Sequence, residues 1–192
     1  MRAIPWTLFV LLPLLGGCVV FEHNPVDQPK CNPNLAGNWM VVGGDLLEDR
    51  NASSIQVDAA CTVQWHDLQD GRRVHFKALG FDHHGYHYLT LSSADVLALL
   101  RLEQNQSLDT EGGAEAAEGD NSVMLLRYQL QGDEFTGEII NPDAVERLID
   151  KGELKGTKEG SSIVVQESPF RLRRWLTREP GVFGKGREGD PG

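Results

Sequence analysis

Apolar residues follow two kinds of pattern along this chain. Residues 4–15 form an almost unbroken apolar stretch, and Arg2 is the only charge before Glu22. Beyond it the apolar runs are short and tend to alternate. In 73–79, Val74, Phe76 and Ala78 alternate with Arg73, His75 and Lys77, the two-residue period of a strand with one buried face. Segments 38–42, 54–58 and 61–65 have the same β-rich character, and 86–91, 123–130, 134–140 and 162–166 continue the series. Gly71 supplies a turn before the 73–79 strand, and Gln131-Gly132-Asp133 reads as a hairpin turn.

Two segments change period. Asn141 as cap and Pro142 as first helical residue open a helix whose apolar face holds Val145, Leu148 and Ile149, and Gly152 ends it. Ser168 and Pro169 repeat that start signal ahead of Leu172, Trp175 and Leu176. Segment 93–102 fits either a helix capped by Ser93, with Val96, Leu99 and Leu100 inward, or a buried strand. About eight strands against two or three short helices predict a mainly β fold: a small antiparallel barrel or sandwich with helices covering it.

Three segments lack any apolar period. From Val19 to Asn34 the chain carries Pro25, Pro29 and Pro33 among polar residues and reads as an extended tether. In 104–121, Asp109, Glu111, Glu115, Glu118 and Asp120 occur without a basic residue, which reads as an acidic surface loop. The Gly- and Pro-rich stretch 179–192 reads as a disordered tail. The expected division is therefore a signal segment 1–17, a tether 18–34, a β-rich domain 35–178 and the tail.

The amino-terminal pattern has a specific likeness. One basic residue, an apolar region too short for the roughly 20 residues of a membrane helix, and then Leu15-Gly16-Gly17-Cys18 resemble the lipobox of bacterial prolipoproteins. The resemblance implies cleavage before Cys18 and diacylglycerol on its thiol, with fatty acids such as palmitate holding the protein on a membrane. Val19 follows the cysteine in place of an inner-membrane retention aspartate. The family pattern then implies the inner leaflet of the outer membrane, with the body facing the periplasm.

That compartment is oxidising, so the remaining cysteines, Cys31 and Cys61, are expected to form a disulfide. Two buried thiols or a metal site are the competing readings, and a Cys-x-x-Cys spacing that would favour metal is missing. Leu35-Ala36-Gly37-Asn38-Trp39 is similar to the Leu-x-Gly-x-Trp opening of lipocalin-like small barrels. Leu125-Leu126-Arg127-Tyr128-Gln129-Leu130, the turn at Gly132-Asp133, and Gly152-Glu153-Leu154-Lys155-Gly156 resemble poorly characterised proteobacterial envelope lipoproteins. These likenesses imply a lipocalin-like fold and bring no catalytic residue with them.

Charge and chemistry narrow the rest. The net charge of −10, from 28 acidic against 18 basic residues, argues against a nucleic-acid partner. No Gly-x-Ser-x-Gly elbow, His-Glu-x-x-His pair or phosphate-cradling glycine loop occurs after Cys18. Imidazoles concentrate at His83, His84 and His87, a candidate metal site, although no cofactor beyond the covalent lipid is expected. Arg171, Arg173, Arg174 and Arg178 surround the apolar face of the last helix and are a candidate contact face for an acidic partner or anionic headgroups. The leading expectation is a lipid-anchored binding or protein-interaction module without catalytic activity. A carrier of a hydrophobic small molecule or lipid stands second, and a metal-binding protein or enzyme third.

Overall fold

In the computed structural model, the described residues are 18–40, 53–67, 71, 73–96, 122–160 and 162–184. Twelve strands run through them: β1 (Val19–Phe21), β2 (Gly37–Met40), β3 (Ser53–Val57), β4 (Thr62–Asp67), β5 (Arg73–Lys77), β6 (Leu79–His83), β7 (Tyr86–Ser92), β8 (Val123–Gln131), β9 (Glu134–Ile140), β10 (Gly156–Glu159), β11 (Ser162–Val165) and β12 (Phe183–Gly184). Helices α1 (Pro142–Asp150) and α2 (Pro169–Arg178) follow β9 and β11, and residues 93–96 are also helical. The protein is mainly β. Its strands form an eight-stranded sheet, with central order β10-β11-β1-β8-β7-β6, and a four-stranded sheet, β2-β3-β4-β5. Among the described residues the two sheets do not close into a barrel, and β1 pairs with β11 in parallel, so the expectation of a wholly antiparallel body is corrected.

Side-chain alternation turns the large sheet into a middle layer. Val19, Phe21, Tyr88, Leu125, Ile163 and Val165 face one way and pack with Val145 of α1 and with Leu172, Trp175 and Leu176 of α2. Leu89 and Tyr128, with Leu126 and Leu130 alongside, face the other way and pack with Val57 and Val63 of the small sheet. Each fully buried apolar side chain contributes roughly 1.5 to 3 kcal/mol.

The two sheets share one continuous run of chain. The expected strand 73–79 is interrupted at Ala78, which is buried and donates its N–H to Cys61 O at 2.9 Å. There the chain leaves the small sheet as β5 and enters the large one as β6.

The helix signals are realised nearly as read. Asn141 accepts from the N–H of Ala144, Pro142 is the first helical residue, and α1 closes with Gly152 N–H to Ile149 O and Glu153 N–H to Leu148 O. Ser168 precedes α2 without a side-chain cap bond. At the helical turn 93–96 the cap is Ser92, whose Oγ accepts from Asp95 N–H, and Ser93 does not fill that role.

Two segments expected to be loose are built into the body. Residues 19–21 of the expected tether form β1, with Phe21 completely buried. Pro25 is also buried, and Lys30 exchanges both backbone hydrogen bonds with Gly80. The start of the expected tail is likewise folded: 180–182 form a 3-10 turn, Val182 and Phe183 are buried, and β12 pairs with β9. Composition misread both because Pro and Gly density reports local conformational bias, whereas the few apolar residues present fill gaps in the core. The segment 1–17, the acidic stretch 104–121 and residues 185–192 lie outside the described residues.

Candidate functional site

Cys18 lies directly at the start of the sheet. Its carbonyl accepts from Ile163 N–H at 2.9 Å, extending the β1–β11 ladder by one residue. The side chain is half-buried, and burial raises its thiol pKa above the ordinary cysteine value, so it is a poor spontaneous nucleophile near neutral pH. Val19 and Phe21 point toward the helices, so strand alternation directs Cys18 and Val20 to the opposite face of the large sheet.

Cys31 and Cys61 are joined by a disulfide with a Cα separation of 5.5 Å, as expected. The bridge fastens the segment after β1 to the β3–β4 turn. Within that turn Asp58 Oδ1 accepts from the N–H groups of Ala60 and Thr62, bonds that hold its carboxyl below the usual carboxylate range. Cys61 itself has φ +55°, a left-handed conformation unusual for a residue with a side chain. Beside the bridge, Asn32 Nδ2 donates to Tyr128 Oη at 2.9 Å and ties this corner to the large sheet.

The histidine cluster is divided by the strands that carry it. His84 and Gly85 form the two-residue turn between β6 and β7, both at positive φ. His83 is opposite Tyr86 on the helix-facing side, where its Nε2 donates to Arg173 O at 2.8 Å and lies 2.9 Å from Thr177 Oγ1. His87 is opposite Asp82 on the other side, with Nδ1 2.6 Å from Asp82 Oδ1 and its ring against Tyr128. His83 meets only His84, edge to face at 4.5 Å between ring centroids. Burial pushes the His83 pKa down, the Arg173 carbonyl opposes that shift, and the nearby charges of His84 and Arg173 reinforce it. The two-residue period of the hairpin therefore places His83 and His87 on opposite faces, and the three rings do not converge. No group of three or more His, Cys, Asp or Glu among the described residues is placed to hold a metal ion.

The four arginines of α2 also divide. Arg173 is half-buried and donates through Nη1 to Pro25 O. It is a structural tie between the helix and the segment after β1. Arg171, Arg174 and Arg178 are exposed and share the outer face with Phe170, which is 66% exposed. Arg171 Nη1 lies 3.5 Å from Glu167 Oε2, a contact of little energetic weight at so exposed an arginine. Glu167 is buried and uses Oε1 to accept from Lys155 N–H.

Arg127 is the important polar residue that sequence reasoning missed. It is buried, with its guanidinium 4.8 Å from the ring centroids of both Tyr86 and Phe183. Nε donates to Glu138 at 2.7 Å and Nη1 to Pro180 O at 2.7 Å, locking the carboxy-terminal turn onto the sheet. Residues 123–130 read as a strand, yet nothing in that local pattern marked Arg127 as buried or named its partners.

Two shallow concavities lie on the surface of the described residues. One, of about 340 Å³, lies on the small sheet beside Asn38, Gln56, Gln64 and Arg73. The other, of about 240 Å³, lies beside His87 and Tyr128. Both are open, and polar side chains contribute to both linings. No helix among the described residues is long and apolar enough to cross a membrane. No protein-family model, curated protein or solved structure matches the chain.

Proposed function

We propose that the protein is an envelope lipoprotein, acylated at Cys18 and held on the inner leaflet of the outer membrane, whose body is a periplasmic interaction module without catalytic activity of its own. The observation that carries the reading is the junction at Cys18: Leu15-Gly16-Gly17-Cys18 ends where β1 begins. With no spacer between them, the acyl chains would seat the body directly against the bilayer. The Cys18 side chain and α2 belong to opposite faces of the large sheet, so the exposed stripe of Phe170, Arg171, Arg174 and Arg178 would be presented away from the lipid. An acidic envelope protein is the partner this arrangement favours over headgroups.

The alternative of a hydrophobic carrier has less support. Both faces of the large sheet are filled by apolar clusters, whereas a carrier needs an apolar cavity that its ligand can enter. The open sheets and the parallel β1–β11 pair favour a sandwich-like description over a lipocalin-like barrel. Trp39 also serves locally, donating Nε1–H to Leu35 O and packing edge-on against Phe135.

Metabolic labelling with palmitate, followed by membrane fractionation, tests the anchor. Wild-type protein is expected to label and to fractionate with the outer membrane, and Cys18→Ser to do neither. Unlabelled wild-type protein in the cytosolic fraction would end the proposal. For the partner surface, in-cell crosslinking should capture an envelope protein with wild type and lose it in the Arg174→Glu, Arg178→Glu double variant.

A further inference from the structure

The outer face of the small sheet is assembled by register. One row places Asn38, Gln56, Gln64 and His75 directly opposite one another across four strands, and the next places Met40, Ser54, His66 and Arg73. Thr62 is opposite Lys77 on the same face. The intervening residues Trp39, Ile55, Val63 and Phe76 belong to the apolar cluster beneath. Strands stand about 4.8 Å apart, so this face displays a ladder of carboxamides and imidazoles at nearly regular spacing. Gln64 Nε2 donates to His75 Nε2 at 2.9 Å within it, and the 340 Å³ concavity opens over it.

The charge of the face differs from that of the chain. Acidic residues outnumber basic ones 28 to 18 in the sequence, yet none of the positions just named carries a carboxylate, while Arg73 and Lys77 are cationic. Asp58 lies at the β3–β4 turn, where Oδ1 is engaged by Ala60 and Thr62, and Lys77 adds a weaker attraction. Lys77 Nζ donates to Thr62 Oγ1 and Ala60 O, so among the described residues Arg73 is the cation beside the amide row.

A carboxamide offers a donor and an acceptor together, which matches vicinal hydroxyls and N-acyl groups, and a guanidinium matches a carboxylate in two-pronged fashion. A protein partner would call for a buried aromatic or aliphatic anchor, and the one large apolar side chain in these rows is Met40, 65% exposed. We propose that this face binds a carboxylated glycan, with hydroxyls on the Asn38–Gln56–Gln64 row and a carboxylate at Arg73. The proposal is independent of the anchor and of the α2 surface.

The test titrates the full chain, purified in detergent, with oligogalacturonate, with a neutral maltooligosaccharide of equal length and with polyglutamate. Oligogalacturonate should bind measurably and in preference to both others. Gln56→Glu and Arg73→Glu should each weaken binding about tenfold or more, with circular dichroism unchanged because both positions are exposed. Cys18→Ser should bind like wild type, which separates this site from the lipoprotein reading. Absence of oligogalacturonate binding at millimolar concentration, or affinity unaltered in both variants, overturns the proposal. Equal binding of the neutral sugar removes the carboxylate, and equal binding of polyglutamate makes the face a site for acidic proteins; either result also overturns it.

Discussion

A side chain at position 80 would have nowhere to go. An ideal Cβ on Gly80 would lie 2.0 Å from Tyr88 O, and the backbone of Gly80 is paired with Lys30. Gly80→Ala must therefore shift β6 against β7, with a loss of about 1 to 3 kcal/mol, read as a lower denaturation midpoint. His83 gives a second test at this scale. Its folded pKa lies below the ordinary histidine value of 6.5, so the unfolded chain binds the proton more readily. The resulting stability is present above that value and is lost as pH falls through the folded pKa. Thermal melts at pH 7.5 and 5.5 should show a smaller difference for His83→Gln, which keeps a side-chain N–H for Arg173 O, than for wild type. Asp58, also depressed, starts from 3.8 and acts in a lower pH range, so the two effects are separable.

Among the elements, β1 shows how a tertiary decision overrides local composition. Three residues, Val19–Phe21, lie between β11 and β8 and take a place in the large sheet that an extended tether would leave empty. Phe21→Ala should cost about 3 to 5 kcal/mol by urea unfolding, as expected for a completely buried aromatic. A tether residue would change stability by less than about 0.5 kcal/mol. Helices α1 and α2 were legible because cap, proline and apolar face are all encoded within each segment. The break between β5 and β6 was not, since alternation continues smoothly from Arg73 to Ala78 and only packing at Ala78 reveals the change of sheet. Strand β10, Gly156–Glu159, was missed for a related reason: its four residues are Gly, Thr, Lys and Glu, and pairing with β11 defines it.

At the scale of the whole molecule, a few long-range ties hold the layers in register. The disulfide joins residues 30 apart in sequence, and its removal in the Cys31→Ser, Cys61→Ser double variant should lower stability by about 3 to 4 kcal/mol in urea titrations. Arg127 fastens the carboxy-terminal turn, and Arg173 and His83 fasten α2 to separate parts of the body. Sequence by itself determined the mainly β character, most strand positions, both helices with their buried faces, and the expected cysteine pair, because each follows from local period, cap chemistry or a short inventory. The tertiary structure alone decided the two open sheets, the burial of β1 and of Val182 and Phe183, the separation of His83 from His87, and the carboxylate-free rows of the small sheet. Those features depend on which strand lies beside which, and a pairing between distant segments leaves little trace in the local pattern of either one.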